Sequence, residues 1–324
     1  RQITICTLND FQRSIIDVHA YLSARENHFF GSVLNQNNQS DKPDVDYVPL
    51  DIIDSTQTEP LSICDISSNL LKGKTYILQG DYGAGKSMTL RQVFFDLKKK
   101  FTNGAVSQFP IYLNLREHSG QDNPSELIER HARNIGFSKP SSLVRAWKAG
   151  FCVVLIDGYD EITTLGASNK LKLKNIRRES LTAVRRLIEQ SPEKMGWIIA
   201  GREHFFDSYQ ERNSALGLNS NSTTKTLSLN EFSDEQIKQY LEKLDNKASL
   251  KLPAWLPTRP LFVGYMAARG LLQDVFEKNN LIDPVEGWDF LIGQICERES
   301  KMAKNFGSGK SNYVLDKLYF RINK

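Results

Sequence analysis

Residues 76–90 read YILQGDYGAGKSMTL, with Lys74 and Thr75 just ahead. An apolar run ends at Gly80, and Gly85, Lys86 and Ser87 close the stretch five residues on. Within it, GDYGAGKS over 80–87 matches G-x-x-x-x-G-K-[ST]. The chemistry needs these residue types. Glycines reach backbone conformations closed to other residues, so successive N–H groups can turn toward phosphate oxygens. A helix starting near Lys86 adds the positive end of its dipole. Lys86 then reaches the β- and γ-phosphates, and the Ser87 hydroxyl ligates Mg²⁺. The candidate nucleotide-binding residues are Gly80, Asp81, Tyr82, Gly83, Ala84, Gly85, Lys86, Ser87 and Met88. A second match, GSGKS at 307–311, fails: Lys304 stands where the outer glycine belongs, and no strand precedes it.

Downstream, short apolar runs alternate with helical patterns. FPIYLNL (109–115), FCVVLID (151–157), GWIIAGR (196–202) and TKTLSL (224–229) read as strands beside TYILQG (75–80). SMTLRQVFFDLKKKF, SELIERHARNIG, SSLVRAWKAG and NIRRESLTAVRRLIEQ read as helices. Continuous apolar strands separated by helices predict an α/β fold, a parallel sheet covered on both faces.

CVVLIDGYDE (152–161) carries the second signal. Its strand delivers Asp157 at the carboxyl edge, where ligands of open α/β sheets bind. There it completes the Mg²⁺ site with Ser87, through water. Asp160 and Glu161, just past the Gly158 turn, are placed to orient or deprotonate an attacking water. A strand–helix unit intervenes between the phosphate loop and Asp157, so those two strands are not neighbours. GWIIAGR fits between them, and its end puts Arg202 near the γ-phosphate, where it can sense that group by charge-assisted bonds. Lys86, Asp160, Glu161 and Arg202 are the candidate catalytic residues.

At the amino end, LNDFQRSIIDVHAYLSARENHFF (8–30) has helical spacing, with Asn9 or Asp10 as cap. GSVLNQNNQSDKPDVD (31–46) reads as a polar linker, followed by an extended YVPLDII. Beyond residue 230 the strands stop, and FSDEQIKQYLEKL, RPLFVGYMAARGLL and GWDFLIGQICERES are helical. Three regions result: an N-terminal helix and linker (1–45), a phosphate-loop core (46–230) and a helical domain (231–324).

Composition limits the alternatives. A net charge of +4 among 25% charged residues does not call for nucleic acid. Four scattered cysteines without a CxxC suggest neither zinc nor a disulfide framework, and fit a reducing cytoplasm. No apolar run is long enough for a membrane span, and none reads as a signal peptide. Residue 1 is Arg, so the sequence reads as a piece of a longer chain or as one that has lost its start. The five histidines lack metal spacing. Arg177, Arg178, Arg185 and Arg186 share one predicted helix and read as a solvated face.

In order, GDYGAGKS, VVLIDGYDE, WIIAGRE, LSLNEFSDEQIKQYL and RPLFVGYMA resemble the motifs of NACHT-type NTPases of the STAND class, the DGxDE form being the more specific mark. The resemblance spans roughly residues 45–300; the first 45 match no family pattern. It implies that Pro260 packs on the nucleotide base or ribose, and that YVPL touches the adenine edge. WDFLIGQICERES is similar to a helix of bacterial members, and the residues after 300 stand where a winged-helix module begins. The family implies a switch. ADP holds a closed monomer; a protein trigger permits exchange for ATP, opening and homo-oligomerisation; slow hydrolysis resets it. Relatives serve anti-phage defence and animal innate immunity. The family's usual effector and sensor segments are absent from this sequence. Two other readings stand beside the switch: an ATPase that remodels protein or nucleic acid, with fast stimulated turnover, and a scaffold that binds nucleotide without hydrolysis.

Overall fold

A computed structural model describes residues 7–31, 47–57, 59–118, 120–161, 170–218, 223–243 and 258–268, with Val285 and Asp289. The chain divides into two compact units, Arg1–Glu231 and Phe232–Lys324.

The first unit begins with two helices, α1 (Leu8–Ile15) and α2 (Val18–Glu26). The pattern over 8–30 predicts one helix, but Asp17 breaks it: its side chain accepts from the Ala20 amide at 3.0 Å and caps α2. Thr7, rather than Asn9 or Asp10, is the first cap, and Asp10 closes its capping box. A short strand β1 (Ile52–Asp54) and helix α3 (Ile63–Leu71) follow.

The α/β alternation starts at β2 (Thr75–Gln79) and α4 (Lys86–Thr102), then β3 (Phe109–Asn114). Helices α5 (Pro124–Asn134) and α6 (Pro140–Lys148) lead to β4 (Cys152–Asp157). Helices α7 (Lys170–Ser180) and α8 (Thr182–Gln190) lead to β5 (Trp197–Gly201), and α9 (Tyr209–Leu216) to β6 (Lys225–Leu229). The pattern over 175–190 predicts a single helix. The structure divides it at Leu181, which is fully buried. Arg177 and Arg178 therefore sit on a different helix from Arg185 and Arg186.

The sheet order is β1-β6-β2-β5-β4-β3. Strands β2 to β6 run parallel, with β5 between the phosphate-loop strand and the Asp157 strand, as the motif spacing predicts. The extended YVPLDII segment supplies the exception: β1 pairs antiparallel to β6, and Lys225 reaches Asp54 at 2.7 Å across that edge.

Every residue of β3, β4 and β5 is buried. Helix α4 packs across these strands, burying Leu90, Val93, Phe94 and Leu97 along one stripe. Each such side chain contributes about 1.5–3 kcal/mol by leaving water. Helices α5, α6 and α8 form a second packed group with Trp147 fully buried; its indole N–H donates to Ser191 at 3.0 Å.

The second unit contains α10 (Asp234–Lys243) and α11 (Pro260–Ala268). Ser233 and Gln236 form a reciprocal cap on α10. Phe232 packs on Tyr240, and its amide donates to the Thr258 carbonyl at 3.0 Å. GWDFLIGQICERES and GSGKS lie outside the described residues, apart from Asp289. Among the described residues no helix is long and apolar enough to cross a membrane.

Candidate active site

Strand register assembles the site. Gln79 pairs with Gly201, Ala200 with Asp157, and Asp157 with Asn114. The carboxyl ends of β2, β5, β4 and β3 therefore lie level, and the segments leaving them converge on one edge.

From β2 the chain enters the loop 80–85. Gly83 and Gly85 take positive φ, 76° and 96°, where a side chain is strained. Gly85 then caps α4 without any side-chain acceptor. The first amides of a 17-residue helix thus face the loop with the dipole behind them. The Lys86 Nζ donates to the carbonyls of Gly80 (2.6 Å) and Asp81 (3.0 Å), so the ammonium is drawn into the loop it serves. Phosphate oxygens would take over those bonds. Burial pushes Lys86 below its ordinary pKa, opposed by Asp160 and Asp157. Ala84 is buried; Asp81, Tyr82 and Met88 are half-buried.

Asp157 ends β4 and is only 3% exposed. Burial raises its pKa, while hydroxyl bonds from Tyr112 and Ser87 and the charge of Lys86 pull it down. The Tyr112 hydroxyl donates to Asp157 Oδ2 at 2.5 Å. A buried carboxyl raised by desolvation, a buried lysine lowered by it and a serine hydroxyl on the carboxyl form a site short of counter-charge. A divalent cation with polyphosphate supplies that charge. The backbone of Gly31 lies close against this pair: a Cβ added there would stand 2.5 Å from Ser87 Oγ and 2.6 Å from Asp157 Oδ2. The donor set, one carboxylate and one hydroxyl leaving positions for water and phosphate, suits Mg²⁺.

The acidic pair separates in its contacts. Asp160 holds Arg202 through both oxygens: Arg202 Nε lies 2.8 Å from Oδ2, and the Arg202 amide donates to Oδ1 at 3.1 Å. Glu161 Oε2 instead pairs with Arg116 Nε at 3.0 Å. Tyr159, which with Gly158 stands between Asp157 and Asp160 in the chain, is buried beside the end of β5 and donates to the Arg202 carbonyl at 2.7 Å. The Arg202 guanidinium lies 5.4 Å from the centre of the Tyr82 ring, over the loop. Lys86, Ser87, Asp157, Asp160, Glu161 and Arg202 thus belong to one site. Pro260 opens α11 in the second unit.

Sequence reasoning missed Tyr112, Arg116 and Gly31. Tyr112 stands two residues before Asn114 in an apolar strand, and a polar group there on the face of the strand end is its sole local mark. Arg116 lies in the turn after that strand. Gly31 has no local mark. Among the described residues no group of three or more His, Cys, Asp or Glu side chains could hold a metal.

A family model, the NACHT domain, matches residues 74–248. No curated protein matches the chain. Among solved structures, the Aeropyrum pernix ORC1 protein in complex with DNA is similar over 73% of this chain and 59% of its own, at 18% identity and TM-score 0.39. Drosophila ORC bound to DNA is similar over 75% and 61%, at 11% identity and TM-score 0.40. The replication initiator DnaA bound to AMPPCP and single-stranded DNA is similar over 76% and 69%, at 13% identity and TM-score 0.31. The chain spans about three-fifths of the two ORC proteins.

Proposed function

Because the chain belongs to the NACHT domain family of P-loop NTPases, we propose that it is an ATP-binding, slowly hydrolysing molecular switch. One observation carries the reading: Lys86, Ser87, Asp157 and the Asp160–Arg202 pair converge on one sheet edge.

The amides of residues 80–87 and the Lys86 ammonium bind the β- and γ-phosphates. Ser87 and Asp157 would hold Mg²⁺, which when bound neutralises charge on those phosphates. Asp160 works by fixing Arg202, whose guanidinium then reads the third phosphate. With Asp160 so engaged, Glu161 is the carboxylate that orients the attacking water, steadied by Arg116. The switch assigns residues 46–230 to the nucleotide core and 231–324 to a helical unit, with Pro260 clamping the base. Differential affinity of ADP and ATP for the closed and open arrangements drives the change. ADP keeps a monomer; ATP, admitted by a protein trigger, gives the homo-oligomer of a cytoplasmic defence protein, against phage or in innate immunity.

The test is chemical. Protein purified without added nucleotide and denatured in acid should release ADP at close to one per chain. Exchange for ATP with Mg²⁺ should raise its mass in light scattering. Nucleotide-free protein with an unchanged mass in ATP, or rapid steady turnover without retained ADP, would refute the switch.

A further inference from the structure

The N-terminal arm lies outside the matched residues 74–248, yet it reaches the centre of the site. Tyr21, Leu22 and Phe30 are all at most 1% exposed, so the arm is core rather than appendage. Arg25 is equally buried. It donates to the carbonyls of His28 (3.0 Å) and Phe29 (2.7 Å) and so pins the turn after α2. Its guanidinium lies 4.1 Å from the centre of the Phe30 ring and 4.5 Å from that of Tyr112. A desolvated cation on two aromatic faces is a strong anchor. Tyr112 is the same residue that donates to Asp157. The arm and the carboxylate therefore share one support.

Gly31 comes next, at φ +60°. A Cβ there would lie 2.5 Å from Ser87 Oγ, 2.7 Å from Ser87 Cβ and 2.6 Å from Asp157 Oδ2. Side-chain carbons do not approach other atoms so closely. A turn glycine alone does not explain this: Gly104 and Gly136 also have positive φ, 71° and 76°, and a Cβ on either meets nothing within 4 Å.

We propose that Gly31 is a positioning residue of the magnesium compartment: its bare Cα lets the arm close over the Ser87–Asp157 pair, so metal binding depends on the arm. This rests on assigning Ser87 and Asp157 to Mg²⁺. A methyl group at 31 must displace the arm or part the two oxygens. Either change weakens the metal site and leaves the loop amides and Lys86 untouched. Comparable changes around metal ligands typically reduce affinity 10–100-fold.

The experiment compares wild type, Gly31→Ala and Gly136→Ala. Fluorescent ADP is titrated in EDTA and in Mg²⁺, and Mn²⁺ bound beside ADP is counted by electron paramagnetic resonance. Gly31→Ala should lose at least about 10-fold in Mn²⁺ and Mg²⁺ affinity, with ADP affinity in EDTA within two-fold of wild type. Gly136→Ala, equally strained in backbone, should match wild type throughout. Wild-type metal affinity in Gly31→Ala, or an equal loss in Gly136→Ala, overturns the proposal alone. A wild type that binds ADP identically with and without metal overturns the Ser87–Asp157 assignment as well. If Gly31→Ala fails to fold by circular dichroism, Phe30→Leu keeps the glycine but loosens the arm. It should weaken Mn²⁺ several-fold, and unchanged affinity there refutes the inference.

Discussion

Tyr112→Phe removes one oxygen from a ring that is fully buried and otherwise keeps its packing. That oxygen donates to Asp157 Oδ2 at 2.5 Å, and burial already pushes the Asp157 carboxyl above its ordinary pKa. Without the donor the ionised form loses support, and protonation competes better with metal. A hydrogen bond to a charged group contributes about 1.5–3 kcal/mol. At about 1.4 kcal/mol per decade, Mg²⁺ affinity should fall roughly 10–100-fold. ADP binding in EDTA should be unchanged, because the Lys86 ammonium is held by the Gly80 and Asp81 carbonyls and not by the Tyr112 hydroxyl. The assay is a Mg²⁺ titration at fixed fluorescent ADP, with a melting curve to confirm the fold. Mg²⁺ affinity within two-fold of wild type would refute the link from Tyr112 through Asp157. So would an equal loss in EDTA, which would mean general damage.

Asp160→Asn should lower stability by about 1–3 kcal/mol, since the Asp160 side chain is only 7% exposed although Arg202 is half exposed. It should lower the preference for ATP over ADP roughly 10-fold in a competition assay; intact discrimination would remove Arg202 as the γ-phosphate reader. Glu161→Gln should reduce ATP turnover roughly 100-fold without weakening ATP binding, and unchanged turnover would exclude Glu161 as the water-orienting group. Burial holds His118 down at about 4 and His131 well below its ordinary value. The unfolded chain takes up protons near pH 6.5 that the native chain refuses, so stability is full above that value and falls as pH drops toward 4. Each histidine should cost about 2 kcal/mol between pH 6.5 and 5, measured by urea denaturation. His118→Leu should remove half of that fall. Neither His118 ring nitrogen has a hydrogen-bond partner among the described residues, so the substitution should also stabilise at pH 7. A pH slope unchanged in that variant would contradict the assignment.

Local chemistry made much of this legible. The turn glycines of 80–85 and the continuous apolar runs of β3, β4 and β5 are properties of a few adjacent residues, and they predict the parallel sheet and its loop. The position of β5 between β2 and β4 followed from counting strand–helix units. What escaped depends on distant pairings. Asp17 looks like one more polar residue in a helical pattern until its side chain is seen on the Ala20 amide. The division at Leu181 has no glycine or proline to announce it. Arg25 carries no local sign of its burial, because Phe30 and Tyr112, which cover its charge, are brought to it by tertiary structure. Gly31 stands far from Ser87 and Asp157 along the chain, and composition carries no trace of their approach in the fold. Asp160 and Glu161, adjacent and chemically alike, acquire different partners through the turns that hold Arg202 and Arg116.

Calorimetric titration of ADP with Mg²⁺ into wild type and Lys86→Ala tests the central claim, that residues 80–87 hold a polyphosphate. Wild type should bind one nucleotide per chain. Lys86→Ala, losing two charge-assisted bonds, should bind at least roughly 100-fold more weakly with its melting curve intact. Equal affinity in the two proteins would place the nucleotide elsewhere and contradict the account.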